Sequence, residues 1–503
     1  MMKDAVMHLP PATHQSVRSK APWQPKVALA LSAAMALLLT ACASAPGLPD
    51  TQRVQTDSQL TTPATWQASV PHGGSINAIQ AWWAQWGDSL LGEVLAAAQK
   101  ESATLATATA RVAQARADAV SADAALLPNV NANAQASRAV QAPKAPAATT
   151  ASLGLQAAWE IDLFGGNRAA SSAAQLRLQN AQLGWHEARV SVAIETASAY
   201  YDWLSCQTSQ TLAKDDATSR AETARLAELT AKAGLTAPAT AALARASAAD
   251  GANSLRTAQA QCELRLKALV SLTGVPEPEL RSKLMANIAV AQKITSQTSL
   301  FTIGAVPAQV LTQRPDIASA QRAVAAASAD ARAADARRLP MLSLSGSIAG
   351  VKLRQGGQTT EGATWSVGPL SISVPIFDAG RNAANAQAAV AAYDEAVVVL
   401  RAKARNAVRE VEEALVNLDS TALRSTDVQT AAAGYKANLD ATQARYKAGL
   451  ASLVELEDAR RTALQAQLSQ LTLDRERIAA WVSLYRAAGG GWTAQSTLPA
   501  GKS

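Results

Sequence analysis

Hydrophobic and small polar positions alternate along four short stretches of this chain. In one, Leu153, Leu155, Ala157, Trp159, Ile161 and Leu163 alternate with Gly154, Gln156, Ala158, Glu160 and Asp162. In another, Leu342, Leu344, Gly346 and Ile348 alternate with Ser343, Ser345 and Ser347. A third sets Leu370, Ile372, Val374 and Ile376 against Ser371, Ser373 and Pro375, and a shorter one follows Leu127-Pro128-Asn129-Val130. Period-two alternation predicts strands with one apolar face. A soluble sheet buried on one side satisfies such a pattern, and so does a transmembrane barrel strand of about ten residues, apolar outside and polar inside.

Beyond each strand pair the period changes to seven. Leu176, Leu183, Val190, Ala197 and Leu204 fall at heptad steps, as do Ala404, Val411 and Leu418, and then Leu464, Leu471, Ile478 and Tyr485. A sustained seam of this kind predicts helices packed as coiled coils. From Gly166 to about Thr230 there is no proline and only Gly184 as a weak break. That predicts a rod of about 95 Å. Two short turns end the rods, Lys232-Ala233-Gly234-Leu235-Thr236 and Lys447-Ala448-Gly449-Leu450-Ala451-Ser452. Gly234 and Gly449 suit left-handed C-caps, and Thr236 and Ser452 are expected to cap the return helices.

The same order of elements occurs twice, 212 to 215 residues apart. One copy runs from Leu127-Pro128 through Ile161-Asp162-Leu163-Phe164-Gly165-Gly166-Asn167-Arg168, the other from Leu339-Pro340 through Pro375-Ile376-Phe377-Asp378-Ala379-Gly380-Arg381-Asn382. This internal duplication divides the chain into an N-terminal extended segment (42–91), a first repeat (92–300), a second repeat (301–492) and a tail (493–503). Each repeat reads as helix, strand, strand, long helix, hairpin turn and return helix. Four strands cannot close a barrel, which needs about eight, and open edges are not tolerated in hydrocarbon. If the strands cross a membrane, several copies of the chain must share one barrel.

The N-terminus tips that balance. Lys20 and Lys26 precede the apolar run Val27 to Leu39, and Leu39-Thr40-Ala41 leads directly into Cys42. Residues 1–41 read as a cleaved secretory signal of lipoprotein type, with Cys42 the acylated first residue and its covalent lipid the only non-protein group expected. No later apolar run is long enough to span a bilayer as a helix. Aromatic residues are only 4% of the chain, with three Phe, and Ala is abundant. That composition predicts closely approaching helices rather than a bulky core. The full chain carries +7, and removing the leader leaves +4 without any basic cluster interleaved with aromatics. Nucleic acid is therefore an unpromising partner.

Cys206 lies 28 residues before Gly234 and Cys262 lies 28 after it. In an antiparallel hairpin turning at Gly234 the two fall level, within disulfide range in an oxidising compartment. A Cys206–Cys262 disulfide is expected, with two buried free thiols as the alternative.

Several stretches together carry a family resemblance. They are Leu311-Thr312-Gln313-Arg314-Pro315-Asp316-Ile317, Trp82-Trp83 with Trp86-Gly87-Asp88, the ending Leu484-Tyr485-Arg486-Ala487-Ala488-Gly489-Gly490-Gly491-Trp492, and the duplicated order of elements. Over residues 42–492 the chain resembles outer-membrane efflux lipoproteins of the TolC superfamily, the NodT-type outer-membrane factors. The resemblance implies an α+β membrane protein, a homotrimer whose four strands per chain make a 12-stranded outer-membrane β-barrel. A long periplasmic α-helical barrel would continue it and dock on a periplasmic adaptor (membrane fusion) protein and an inner-membrane RND-type pump. By similarity, Tyr446, Glu455 and Asp458 belong to a periplasmic gate, and the tips Gly234, Leu235, Gly449 and Leu450 to the adaptor-docking end. Glu455 and Asp458 share a helix face; the plainer reading is that they favour the positive end of the return helix. Ala451 stands where related gates carry a basic residue, for which Arg445 or Lys447 is the local substitute.

No enzyme reading competes. After residue 41 only His72 and His186 are present, and no nucleophile elbow, phosphate loop or zinc motif occurs. With Met285 and Met341 the only methionines there, a thioether path for Cu(I) is not expected. The functions left are the exit duct of an efflux pump for drugs or other small solutes, the duct of a type I protein-secretion system, and a non-conducting lipoprotein that spaces envelope layers.

Overall fold

The computed structural model describes residues 48–60, 87–140, 143, 146–295 and 311–492. The leader, Cys42, Trp82, Trp83, Trp86 and the tail 493–503 lie outside the described residues. Nine helices and four strands are assigned among them. In chain order they are α1 (Thr51–Asp57), α2 (Ser89–Glu101), α3 (Ala103–Ala124), β1 (Asn129–Ala139), β2 (Ala148–Ile161), α4 (Gly166–Lys232) and α5 (Pro238–Thr273). There follow α6 (Glu277–Thr295), α7 (Pro315–Ala336), β3 (Met341–Gln355), β4 (Gln358–Ser373), α8 (Arg381–Lys447) and α9 (Leu453–Ala487).

The order helix, two strands, long helix, return helix thus occurs twice, with one element the sequence reading did not separate. Gly274, in the left-handed region, ends α5, and α6 then starts a helix of its own. Residues α2 onward also begin slightly earlier than the expected repeat boundary, because buried Asp88 caps the helix by accepting from the Leu90 and Leu91 amides.

The strands form one antiparallel sheet in the order β1-β2-β3-β4. They run longer than the alternating stretches that predicted them: β3 and β4 continue to a two-residue turn at Gly356 and Gly357, both at positive φ. At the other end β4 stops at Ser373, so Val374 and Ile376, expected in the strand, lie beyond it.

The long helices are single rods of 67 residues each, α4 and α8, or about 100 Å. Each folds back on its return helix through the same C-cap. Leu235 N–H donates to Thr230 C=O at 2.8 Å in the first hairpin, and Leu450 N–H to Arg445 C=O at 2.8 Å in the second. Gly234 and Gly449 supply the positive φ this closure needs. The caps that follow differ. Ser452 and Glu455 form a capping box at the start of α9. Thr236 does not cap α5, contrary to expectation: Pro238 opens that helix after Ala237, and the Thr236 hydroxyl pairs instead with Thr230 at 3.0 Å.

The heptad seams are buried over only part of their length. Val190, Ala197, Leu204, Ala404, Val411, Leu418, Ile478 and Tyr485 are buried, whereas Leu176, Leu183, Leu464 and Leu471 are half-buried. Nor is the core free of bulk. Trp203, Trp481, Tyr200 and Tyr393 are among the largest fully buried side chains. The first three belong to one cluster in which α2, α4, α5, α6, α8 and α9 meet. Aromatics are scarce in total and concentrated where additional helices thicken the rod. Cys206 and Cys262 are bridged there across α4 and α5, their Cα atoms 5.5 Å apart.

α1 is tied to the second repeat. Asp57 accepts from the Tyr393 hydroxyl and from Arg401, both at 2.9 Å, and Arg53 pairs with Asp394 at 2.7 Å. His186 of α4 is buried between Trp185 and Trp492, and its Nδ1 has no hydrogen-bond partner. Burial, with the nearby Arg189 charge, pushes its pKa down to about 4 from the ordinary 6.5. The unfolded chain therefore takes up a proton that the folded one refuses, and stability falls as pH drops from about 6.5 to about 4. Unfolding midpoints of wild type and His186→Leu are expected to converge differently across that window, with the wild type losing more; parallel curves exclude the effect.

Candidate functional site

The two faces of the sheet carry opposite chemistry. Residues directly opposite in an antiparallel ladder share a face. Row by row, that places Ile161, Leu342 and Ile372 together, then Trp159, Leu344 and Leu370, then Val130, Ala157, Gly346 and Val367, then Ala132, Leu155, Ile348 and Trp365, then Ala134, Leu153, Gly350 and Ala363. Among the described residues nothing covers this face: Trp365 is 77% and Val367 82% exposed. The opposite face carries Asn131, Asn133, Gln156, Ser343, Ser347, Ser366 and Ser371. Its hydroxyls and amides bond to one another, Ser343 to Ser371 and Ser347 to Ser366 at 2.9 Å, and Asn133 to Gln156 at 3.2 Å. Among the described residues the edges β1 and β4 have no partner strand.

The other end of the rods holds a buried charge network that the sequence reading did not single out. Arg460 of α9 is only 2% exposed. It bonds to Glu457 on its own helix and to the Ser219 and Thr223 hydroxyls of α4, each at 3.1 Å, with Asp216 at 4.0 Å. Glu457 also accepts from Ser247 of α5 at 2.7 Å and from Arg220 of α4 at 3.1 Å, while Arg220 reaches Asp216 at 2.8 Å. Two arginines and two carboxylates thus join the second hairpin to the first.

The gate residues taken from the resemblance surround this network. Tyr446 packs beside Ala224, Ala227, Ala244 and Leu453. Burial pushes its hydroxyl pKa up, and the Glu457 charge adds to the shift. Glu455 is exposed and engaged in the capping box, accepting from Ser452 N–H at 2.7 Å. Asp458 is exposed and pairs with Arg461 at 2.5 Å. Within the chain these two carboxylates do what helix-terminal acids ordinarily do. Arg445, the local candidate for a missing basic partner, donates to the Leu450 carbonyl at 3.2 Å inside the turn. Leu235 (77% exposed) and Leu450 (71%) leave an apolar surface at the hairpin tips. Among the described residues no group of His, Cys, Asp or Glu is arranged to hold a metal, and no helix is long and apolar enough to cross a membrane.

The sequence model of a family described as "outer membrane efflux protein" matches residues 94–275 and 306–490. The pyoverdine export outer membrane protein OpmQ of Pseudomonas aeruginosa is 29% identical over 468 residues, covering 91% of this chain and 95% of the relative. Nodulation protein T of Rhizobium leguminosarum is 25% identical over 484 residues, covering 92% and 93%. The solved outer-membrane channel OprN superposes with a TM-score of 0.75 at 28% identity, over 86% of this chain and 98% of the channel.

Proposed function

The chain belongs to the outer membrane efflux protein family, and from that premise we propose that three copies close one conduit from the periplasm to the outside. It is an outer-membrane efflux channel, from a family of channels rather than enzymes. As the outer-membrane component of an efflux pump it works with an adaptor and an inner-membrane pump.

One observation carries the proposed trimer: a four-stranded sheet with a bare apolar face, a self-bonded polar face and two unpaired edges. Each edge needs a partner in lipid. Joining the β4 edge of one copy to the β1 edge of the next gives a ring, and three copies give twelve strands with Ser, Asn and Gln lining the lumen. On this reading the two repeats are copies of one unit, and their helices continue the barrel as a periplasmic tunnel. The lipid on Cys42 is a second attachment to the same membrane.

At the tunnel's far end the Arg460–Glu457–Arg220–Asp216 network holds the two hairpins of each chain together. We assign it, with Tyr446, to the closed state of the entrance; three copies of Glu455 and Asp458 would ring the axis and favour cations. The exposed Leu235 and Leu450 tips are the surface offered to the adaptor. A polar lumen distinguishes this duct from an envelope spacer, which needs none. Small-solute export rather than protein secretion is favoured by the lipoprotein leader and by relatives such as the pyoverdine exporter.

Purified mature protein is expected to run as a trimer in detergent and to give discrete conductance steps in planar bilayers. A monomer, or a trimer that passes no ions, would overturn the duct.

A further inference from the structure

We propose that the outer end of the sheet carries a binding site for the phosphate of a phosphorylated glycolipid in the outer leaflet. The site is one row of the ladder. Arg138 pairs with Thr149, Thr149 with Arg354, and Arg354 with Thr359. All four are exposed. Because directly paired residues share a face, and side chains alternate, this row lies on the same face as Leu155, Ile348 and Trp365. That face is the apolar, lipid-facing one, so these side chains point toward lipid and not into the lumen.

The position along the strand identifies the lipid zone. The apolar rows run from Leu342 to Gly350, and Lys352, Arg354 and their partners follow. Nine residues at about 3.4 Å, inclined by about 40°, rise about 23 Å. The apolar band therefore ends where hydrocarbon ends, and the arginine row meets headgroups. The helices leave from the opposite end of the strands, so the Gly356-Gly357 turn faces outward, and the headgroups are those of the outer leaflet.

The charges are uncompensated. Neither Arg138 nor Arg354 has an ion-pair or hydrogen-bonding side-chain partner among the described residues, and their row contains no acid. In the row below, Lys352 is already matched by Glu361 at 3.0 Å. Strands two apart are separated by about 10 Å, a gap two arginine side chains can close from both sides. A guanidinium fork matches phosphate oxygens in two parallel hydrogen bonds, and Thr149 between them adds a hydroxyl donor. A neutral sugar or choline headgroup offers no comparable partner for two unpaired arginines.

The inference rests on the barrel reading, and the test separates the two. The full mature chain is reconstituted in phosphatidylcholine nanodiscs, and its conductance is checked in bilayers from the same preparation. Binding of lipid A carrying two phosphates is then compared with binding of the same lipid stripped of phosphate, by native mass spectrometry. Wild type is expected to retain the diphosphorylated lipid and not the stripped one. Arg138→Gln with Arg354→Gln is expected to weaken retention about tenfold or more, and the double lysine variant to keep most of it. Inorganic phosphate is not expected to displace the lipid, because the acyl chains anchor it. Equal retention of both lipids, or a glutamine variant that binds like wild type while still conducting, overturns the site. A preparation that does not conduct overturns the barrel instead.

Discussion

Arg460→Ala is expected to lower the unfolding free energy by about 3–5 kcal/mol, the usual cost of deleting one partner of a buried ion pair. The cost arises from what stays behind. Glu457 and Asp216 keep their charges in a site 18% and 10% exposed, with Arg220 alone to balance both. The Ser219 and Thr223 hydroxyls of α4 lose their donor as well. Pairing Arg460→Met with Glu457→Leu removes one charge of each sign and is expected to restore part of the loss. Glu455→Ala, which removes one side of an exposed capping box, is expected to cost about 1 kcal/mol. Denaturant unfolding followed by helical circular dichroism ranks the three variants. If the network also holds the entrance shut, Arg460→Ala channels conduct more than wild type at equal voltage, and Glu455→Ala channels do so far less. An Arg460→Ala midpoint that matches Glu455→Ala would remove the network from the account.

The contrast between Arg460 and Glu455 explains what the sequence could and could not supply. The hairpin turns, the rods and the strands follow from local chemistry: glycine at a C-cap, a seven-residue seam, alternation of side chains. The cysteine pair was legible too, because equal spacing about Gly234 fixes which residues face each other. Glu457 and Arg460 were missed because their partners Asp216, Ser219, Thr223 and Ser247 lie more than 200 residues away, on two other helices. A signal was nevertheless present. Leu453, Leu456, Ala459 and Ala463 mark the buried stripe of α9, and Arg460 falls on that stripe, where an arginine must find carboxylates. The strand ends were misplaced for a related reason. Near the outer turn Lys352, Arg354 and Glu361 put charge on the otherwise apolar face while Val351 and Leu353 fall on the opposite one, so the alternation changes phase while the backbone ladder continues. Thr236 looked like a cap because the position was right; Pro238 preset the first turn instead and left the hydroxyl free for Thr230.

Gly489→Ala is expected to destabilise the protein by about 2–5 kcal/mol, although it adds a single methyl group. Two of the sequence stretches that carry the family resemblance meet at this position. Arg314, buried and paired with Asp316 and Glu410 at 2.8 Å, donates to the Ala487 carbonyl at the end of α9. The chain then passes Gly489 against the segment entering α7. A Cβ at Gly489 would lie 2.1 Å from the Gln313 carbonyl oxygen and 3.2 Å from the Arg314 Cα. Both are backbone atoms and cannot turn aside as a side-chain end would. Gly489 also sits at φ +89°, where an L-residue pays about 1–2 kcal/mol before any clash. Overpacking against fixed atoms adds about 1–3 kcal/mol more. The exposed mid-helix Gly434 is the matched opposite: a Cβ there meets nothing within 4 Å. Gly434→Ala is therefore expected to stabilise by about 1 kcal/mol through helix propensity. Thermal unfolding of the two variants should move in opposite directions from wild type. Were Gly489→Ala to unfold with the wild-type midpoint, the close approach of α9's end to Gln313 would not exist in solution.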